Sequence, residues 1–179
     1  MNDSFDKPIP TDDEIKTVVD ILSRLQPGEL PLDLFLQTAR LTVTPIVEVV
    51  PVRKTADGST EVLLIERDGT DPVWSGKVHT PGTIIRSSDT DSQNGDAFRR
   101  ILQGEMQGIS TGEPVYVGSM LHRVKRGMEQ IQVYVVEVHG EPTVGKFYNA
   151  NALPENLVDT QTGFIQAAVL HYIAFEQTN

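Results

Sequence analysis

The sequence contains no cysteine, and this absence excludes several kinds of chemistry. A chain without thiols forms no disulfide, has no thiol nucleophile and cannot bind zinc through cysteine. It also has no apolar run that approaches the length of a membrane span. The first residues, Met1 to Lys7, lack the apolar core of a signal peptide. We therefore expect a soluble cytoplasmic protein with no membrane partner.

Positive charge is scarce as well, with 15 lysines and arginines against 25 aspartates and glutamates. The formal net charge is -10 and the sequence pI is about 4.8. A negative field of this size repels polyanions at long range, which argues against a nucleic-acid polymer as partner. It leaves open a small anionic ligand that is held in a local basic pocket.

The length of 179 residues suits one domain with a full core. We expect residues 1–40 to form an N-terminal arm and helices packed on the domain, and residues 41–179 to form the domain itself. Thr11 and Glu14 are spaced as a capping box, and apolar residues follow at helical intervals from Ile15 to Leu25. Pro31 is placed to open a second short helix.

From Thr42 onward the pattern favours strands. Thr42 to Val52 is rich in valine and threonine, but Pro45 and Pro51 predict that this strand is broken or lies at an edge, because proline donates no ladder hydrogen bond. It should form a hairpin with Glu61 to Glu66. Further strands are predicted at Tyr116–Val124 and Ile131–Val138, and a final helix at Thr162–Phe175. This order predicts a mixed α/β fold in which helices cover a sheet.

Between these strands lies a turn followed by a helix. Pro81-Gly82 marks the turn, and the stretch from Ser87 to Gly95 is polar. Asp96 is placed to cap a helix that runs to about Gln107, with Gly108 ending it. This segment carries most of the functional information in the chain.

The segment resembles a Nudix box, whose pattern is G-x5-E-x7-R-E-U-x-E-E-x-G-U, with U a bulky aliphatic residue. Gly82, Arg100, Leu102 and Glu105 match the pattern, and an extra residue precedes Gly108. The resemblance extends from about Thr42 to Phe175 and includes the strand order and an Ala152-Leu153-Pro154 turn. It implies a Nudix-like α/β/α sandwich, classed as α/β (α+β), with a mixed sheet and an added N-terminal helical segment.

Most of the carboxylates that the family pattern expects are absent. Ser88, Ile101 and Gly104 stand where the pattern has glutamate, and the loop after Gly82 is longer than the pattern allows. In the family, the box arginine pairs with the first of those glutamates. We expect Asp89 or Asp91 to pair with Arg100 instead. A rearranged metal site that includes one of these aspartates is an open alternative.

The resemblance implies metal-dependent hydrolysis of a nucleoside diphosphate linked to another group, with weak or lost turnover. It assigns a weakly held Mg²⁺ or Mn²⁺ to Glu105 and to the backbone at Pro81 or Gly82, since magnesium favours oxygen ligands. Glu105 and Glu129 are the catalytic candidates. The candidates for binding substrate are Gly82, Trp74, Arg86, Arg100 and Arg126.

Each of these residues also has a purely structural interpretation. Arg100 equally fits an ion pair, Glu129 a surface charge, and Trp74 core packing. The alternative function is a catalytically silent Nudix-fold module that binds a nucleotide-like ligand or a protein partner, and a homodimer remains open. The number of carboxylates that converge on Gly82 separates the two functions. Two or more favour the enzyme, and Glu105 alone favours the binding module.

Overall fold

A computed structural model of the chain describes residues 9–26, 28, 30–69, 71, 73–90 and 93–176. The N-terminal arm expected before the first helix lies mostly outside these residues. The helices are α1 (Asp12–Ser23), α2 (Leu32–Leu41), α3 (Gly95–Gly104) and α4 (Thr162–Glu176). The strands are β1 (Val43–Lys54), β2 (Thr60–Glu66), β3 (Val78–His79), β4 (Gly82–Ile84), β5 (Ile109–Thr111), β6 (Val115–Val124), β7 (Gly127–Gly140) and β8 (Lys146–Asn149).

These strands form a mixed sheet with the order β3-β2-β1-β7-β5, in which β1 and β7 are parallel. The remaining strands add antiparallel pairs, β4 on β1, β6 on β7 and β8 on β2. The predicted hairpin of β1 with β2 is present, and the predicted strands β6 and β7 also form an antiparallel pair. The predicted mixed sheet between helices is therefore confirmed. Among the described residues, no helix is long and apolar enough to cross a membrane.

The prediction that β1 is broken or lies at an edge is wrong, because β1 is a continuous central strand. One edge of β1 pairs with β7 along most of its length. The other edge is shared, by β4 at Ile46–Glu48 and by β2 at Val52–Lys54. Pro45 and Pro51 fall outside both of these paired segments. Neither proline therefore deprives a ladder of a donor that it needs.

Side chains of β1 alternate between two cores, one on each face of the sheet. Val47 and Val49 pack on the face covered by α3, together with Ile101. Ile46 and Val50 pack on the face covered by α4. Glu48 lies between Ile46 and Val50 on this second face and is 6% exposed. A carboxyl group is thus placed inside the apolar run from Ile46 to Val52.

The two N-terminal helices differ in how they contact the domain. The capping box of α1 is confirmed, because Thr11 N–H donates to the Glu14 carboxylate at 2.7 Å and Glu14 N–H donates to Thr11 Oγ1. We expected both helices to pack on the domain, and α2 does pack against β1 and β7. By contrast, α1 buries none of its residues. Its apolar stripe therefore adds nothing to the described core, and the boundary at residue 40 stays a prediction.

The box helix α3 is shorter than predicted and begins differently. Its N-cap is Asn94, in the left-handed region with φ 63°, rather than Asp96. Asp96 lies in the first helical turn, where its carboxylate accepts from Thr90 N–H and pairs with Arg99. The helix ends at Gly104, so Glu105 is its C-cap residue.

Candidate functional site

Gly82 and Glu105 are in direct contact. The backbone N–H of Gly82 donates to Glu105 Oε2 at 2.9 Å. The carbonyl of the preceding Pro81 accepts from Val49 N–H of β1, so it belongs to the sheet ladder. The structure therefore brings together Gly82 and Glu105, the two residues to which the resemblance assigns a metal. Their roles with metal and substrate stay predictions.

A second carboxylate reaches the same glycine, and the sequence reasoning missed it. Glu48 pairs with Gly82 in the β1–β4 register. A Cβ added at Gly82 would lie 2.6 Å from the Glu48 carboxyl carbon. A side chain at position 82 would therefore displace the Glu48 carboxyl group from its present place. The available signal was that Glu48 is the one charged residue in the apolar run from Ile46 to Val52.

Buried hydrogen bonds hold Glu48 in this position. The hydroxyl of Thr80 donates to Glu48 Oε2 at 2.7 Å, and the Thr80 N–H donates to Gln161 Oε1 at 2.9 Å. His79 Nδ1 lies 2.6 Å from the Thr80 carbonyl oxygen, which can only accept, so Nδ1 carries the proton. Burial lowers the pKa of His79 to about 4, and this histidine is neutral at neutral pH. The segment before Gly82 is therefore a rigid support.

Burial also controls the charge of the two carboxylates. It raises the pKa of Glu48 to about 8, despite the hydrogen bond from Thr80 and the nearby Arg67 guanidinium. Burial raises the pKa of Glu105 as well, against the Gly82 N–H and the same arginine. The two acids also repel each other's charge. At neutral pH the ligand-free site therefore keeps a proton on Glu48.

Glu129 and Arg126 form an ion pair close to this site. Arg126 Nε donates to Glu129 Oε1 at 2.6 Å, and Glu129 is 4% exposed, so the surface-charge interpretation of Glu129 is wrong. The Arg126 guanidinium lies 5.1 Å from the Trp74 ring centroid and 5.7 Å from that of Phe35. Arg67 also approaches Trp74, at 5.5 Å. The structure thus groups three of the predicted site residues, Glu129, Arg126 and Trp74.

Arg100 is occupied by structural contacts. Its guanidinium donates to both carboxylate oxygens of Asp89, at 2.5 and 2.9 Å, and to the Ile84 carbonyl at 2.9 Å. The predicted pairing of Arg100 with an inserted aspartate is confirmed for Asp89, while Asp91 lies outside the described residues. Arg86 lies in the same loop, and its backbone N–H donates to Asp89 Oδ2. These contacts favour the ion-pair interpretation of Arg100 over substrate binding.

Replacing Arg100 with methionine is expected to reduce the free energy of unfolding by about 1.5–3 kcal/mol at neutral pH, because it leaves Asp89 without its charged donor. Asp89 is 8% exposed and Arg100 is 24% exposed, so solvent screens this pair only partly. The Arg100 hydrogen bond holds the pKa of Asp89 below its ordinary value. The stabilisation is therefore present above the unfolded pKa of about 4 and is lost as pH falls through the lower folded pKa. Urea unfolding of both proteins across this range measures it, and a difference that does not shrink in acid would contradict the assignment.

The donor set around Gly82 suits a metal ion that is shared with a ligand. Among the described residues, no group of three or more histidine, aspartate or glutamate side chains is placed to hold a metal by itself. Ile101 is 2% exposed in the core and Gly104 has no side chain, so neither supplies a ligand. Glu48 and Glu105 nevertheless converge on one glycine. Magnesium is commonly held by one or two carboxylates with substrate phosphates completing its octahedron.

No family model and no curated protein sequence matches this chain. Solved structures do match it. A mutT/nudix family protein from Listeria innocua has a TM-score of 0.60 at 16% identity, over 77% of this chain and 99% of that one. The NUDIX domain of Shewanella oneidensis NrtR, complexed with ADP ribose, has a TM-score of 0.56 at 16% identity, over 86% and 97%. The C-terminal domain of mouse MUTYH, in complex with human PCNA, has a TM-score of 0.57 at 16% identity, over 74% and 91%.

Proposed function

The chain has the Nudix fold, and on this premise we propose that it is a metal-dependent hydrolase of a nucleoside diphosphate linked to another group, with weak turnover. The observation that supports the proposal best is the convergence of Glu48 and Glu105 on Gly82. Two carboxylates at this glycine favour the enzyme over the binding module. The ADP ribose bound to the NrtR domain supports a nucleotide-like ligand. Fold alone does not determine activity, so the site carries the argument.

The residues at the site would divide the work of binding and positioning. Glu105 and Glu48 would hold Mg²⁺ or Mn²⁺, which when bound polarises a diphosphate and promotes ionisation of water. Arg126 would bind phosphate oxygens, and Trp74 beside it would contact an adjoining ring. The buried support from Thr80 keeps Glu48 in place. Glu129 keeps Arg126 oriented through its ion pair rather than acting on substrate directly.

A second candidate is the catalytically silent module, and a specific observation favours it. Ile101 is part of the core and Gly104 is an exposed helical glycine, so two box ligands are missing from the structure as well as from the pattern. Such a module would bind a nucleotide-like ligand or a protein partner. The MUTYH domain crystallised with PCNA is an instance of this fold in a protein complex.

Hydrolysis of ADP-ribose in the presence of Mg²⁺ or Mn²⁺ tests the proposal, with AMP release measured by chromatography. We expect slow, metal-dependent release by the wild type, and at least a tenfold loss in Glu48→Gln and in Glu105→Gln. Tenfold corresponds to about 1.4 kcal/mol of transition-state stabilisation. Glu155→Gln is the matched control, because Glu155 is exposed on a later turn.

The three outcomes separate the candidates. Metal-dependent release that both variants lose supports the hydrolase. Calorimetric binding of ADP-ribose with no release supports the silent module. Release that is equally fast in Glu105→Gln and in the wild type would show that this carboxylate has no part in turnover, and the proposed site would be wrong.

A further inference from the structure

A cavity of about 520 Å³ lies beside the carboxylate site, between α2, the start of β1 and the end of β4. The residues that line it include apolar ones, such as Phe35 and Ile84, and the hydroxyl-bearing Thr44, Thr83 and Ser87. Of the described residues that line it, Arg86 is the charged one and none is acidic. In a chain with net charge -10, a cavity without acidic residues is suited to an uncharged or anionic ligand.

Two connections join this cavity to the candidate site, one at Gly82 and one at the Arg126–Glu129 ion pair. Thr83 lines the cavity and directly follows Gly82, which contacts Glu48 and Glu105. Phe35 also lines it, and the ring of Phe35 lies 5.7 Å from the Arg126 guanidinium that pairs with Glu129. A ligand whose diphosphate lies at Gly82 could therefore place its next group in the cavity.

We propose that this cavity holds the nucleoside portion of the ligand, so that α2 forms part of the binding site. The inference rests on the proposed function, because it assumes a nucleoside diphosphate at Gly82. The volume falls within the roughly 300–1,000 Å³ range of small-molecule pockets, which are mostly apolar with a few polar groups. A nucleobase is a flat uncharged ring with hydrogen-bonding edges, and it matches a wall of Phe35, Ile84 and threonine hydroxyls.

The lining favours a nucleoside over a purely aliphatic group. Thr44, Thr83 and Ser87 line the strand and loop side of the cavity, and a hydroxyl group can pair with the polar edge of a nucleoside but not with an aliphatic chain. A cationic group is also disfavoured, because none of the described lining residues is acidic. The α2 wall precedes Thr42, where the sequence resemblance to the Nudix box and its strands begins.

The test compares two substitutions on adjacent residues of α2. Thr38 lines the cavity, whereas Gln37 is exposed and does not line it. Thr38→Trp should fill part of the cavity, and Gln37→Trp adds the same ring outside it. Calorimetry with Mg²⁺ present measures the binding of ADP-ribose and of inorganic pyrophosphate to each full-length protein. Thermal melting establishes that both variants are folded.

We expect Thr38→Trp to weaken ADP-ribose binding at least tenfold and to leave pyrophosphate binding unchanged, while Gln37→Trp changes neither. A folded Thr38→Trp variant with wild-type affinity for ADP-ribose would overturn the inference. Geranyl diphosphate that binds the wild type more tightly than ADP-ribose would also overturn it, in favour of an aliphatic ligand. If binding follows the expected pattern but no turnover occurs, the hydrolase proposal fails and the nucleoside pocket stands.

Discussion

Replacing Gly127 with alanine is expected to destabilise the protein by about 3 kcal/mol or more, which is the largest effect of a single added methyl that we expect here. A Cβ at this position would lie 2.1 Å from the carbonyl oxygen of Ala39 and 2.8 Å from its carbonyl carbon. Both of these atoms belong to the backbone of α2, so they cannot yield by a rotamer change. Gly127 also has φ +152°, a backbone conformation that residues with a side chain rarely adopt. Relief would require α2 to move away from the β6–β7 hairpin.

Urea unfolding measures this effect, and Gly104→Ala is the matched control. A Cβ at Gly104, the last residue of α3, would meet nothing within 4 Å. Alanine there should stabilise the protein by roughly 0.5–1 kcal/mol, because glycine loses more backbone freedom on folding. A Gly127→Ala variant with the wild-type midpoint would show that α2 is not held against the hairpin. The same result would contradict the placement of α2 as one wall of the cavity that we assign to the nucleoside.

Restoring the missing box carboxylates is expected to unfold the protein rather than to improve metal binding. In the double variant Ile101→Glu with Gly104→Glu, we expect a loss of several kcal/mol, about 4 kcal/mol or more, because a carboxylate at position 101 would be buried without a partner. Ile101 is 2% exposed and packs with Val47 and Val49 in the core under α3. The family pattern places residues 101 and 105 on one helical face. Here Glu105 is the C-cap residue of α3, and its carboxylate accepts from the Gly82 N–H while Ile101 lies in the core.

Thermal melting with and without Mg²⁺ tests this expectation on the wild type, the double variant and Gly104→Glu alone. The single variant should stay folded, because position 104 is exposed at the end of α3. Comparing its melting temperature with and without Mg²⁺ measures how much a solvent-exposed carboxylate at position 104 adds to the stabilisation by Mg²⁺. A double variant that folds and gains a larger Mg²⁺-induced shift than the wild type would mean that position 101 faces the site. That result would contradict the core position of Ile101.

Local patterns in this chain were informative wherever neighbouring residues decide the outcome. The capping box at Thr11 forms because Thr11 and Glu14 satisfy each other's backbone groups within one turn. Strands β6 and β7 likewise follow from short-range sequence pattern. The pairing of Arg100 with Asp89 was predictable because a loop and a helix close in sequence supply both partners.

Other features depend on elements that are distant in sequence. The prolines of β1 predicted an edge strand, yet they fall outside the segments where β4 and β2 pair with β1, an arrangement that no local pattern reveals. Glu48 and Gly82 are brought together by the β1–β4 register. Glu105, the C-cap residue of α3, reaches the same glycine from a segment more than 20 residues further along the chain.

The sequence by itself determined the Nudix-like fold class, the turn at Gly82 and the loss of three box carboxylates. Each of these depends only on which residue types occur at which spacing along the chain. The tertiary structure decided which acids meet at Gly82, that Ile101 belongs to the core, and that α2 closes a cavity beside the site. The physical reason is that burial and strand register set both the position and the charge of a carboxyl group. Burial of Glu48, which raises its pKa to about 8, arises from packing across the whole sheet.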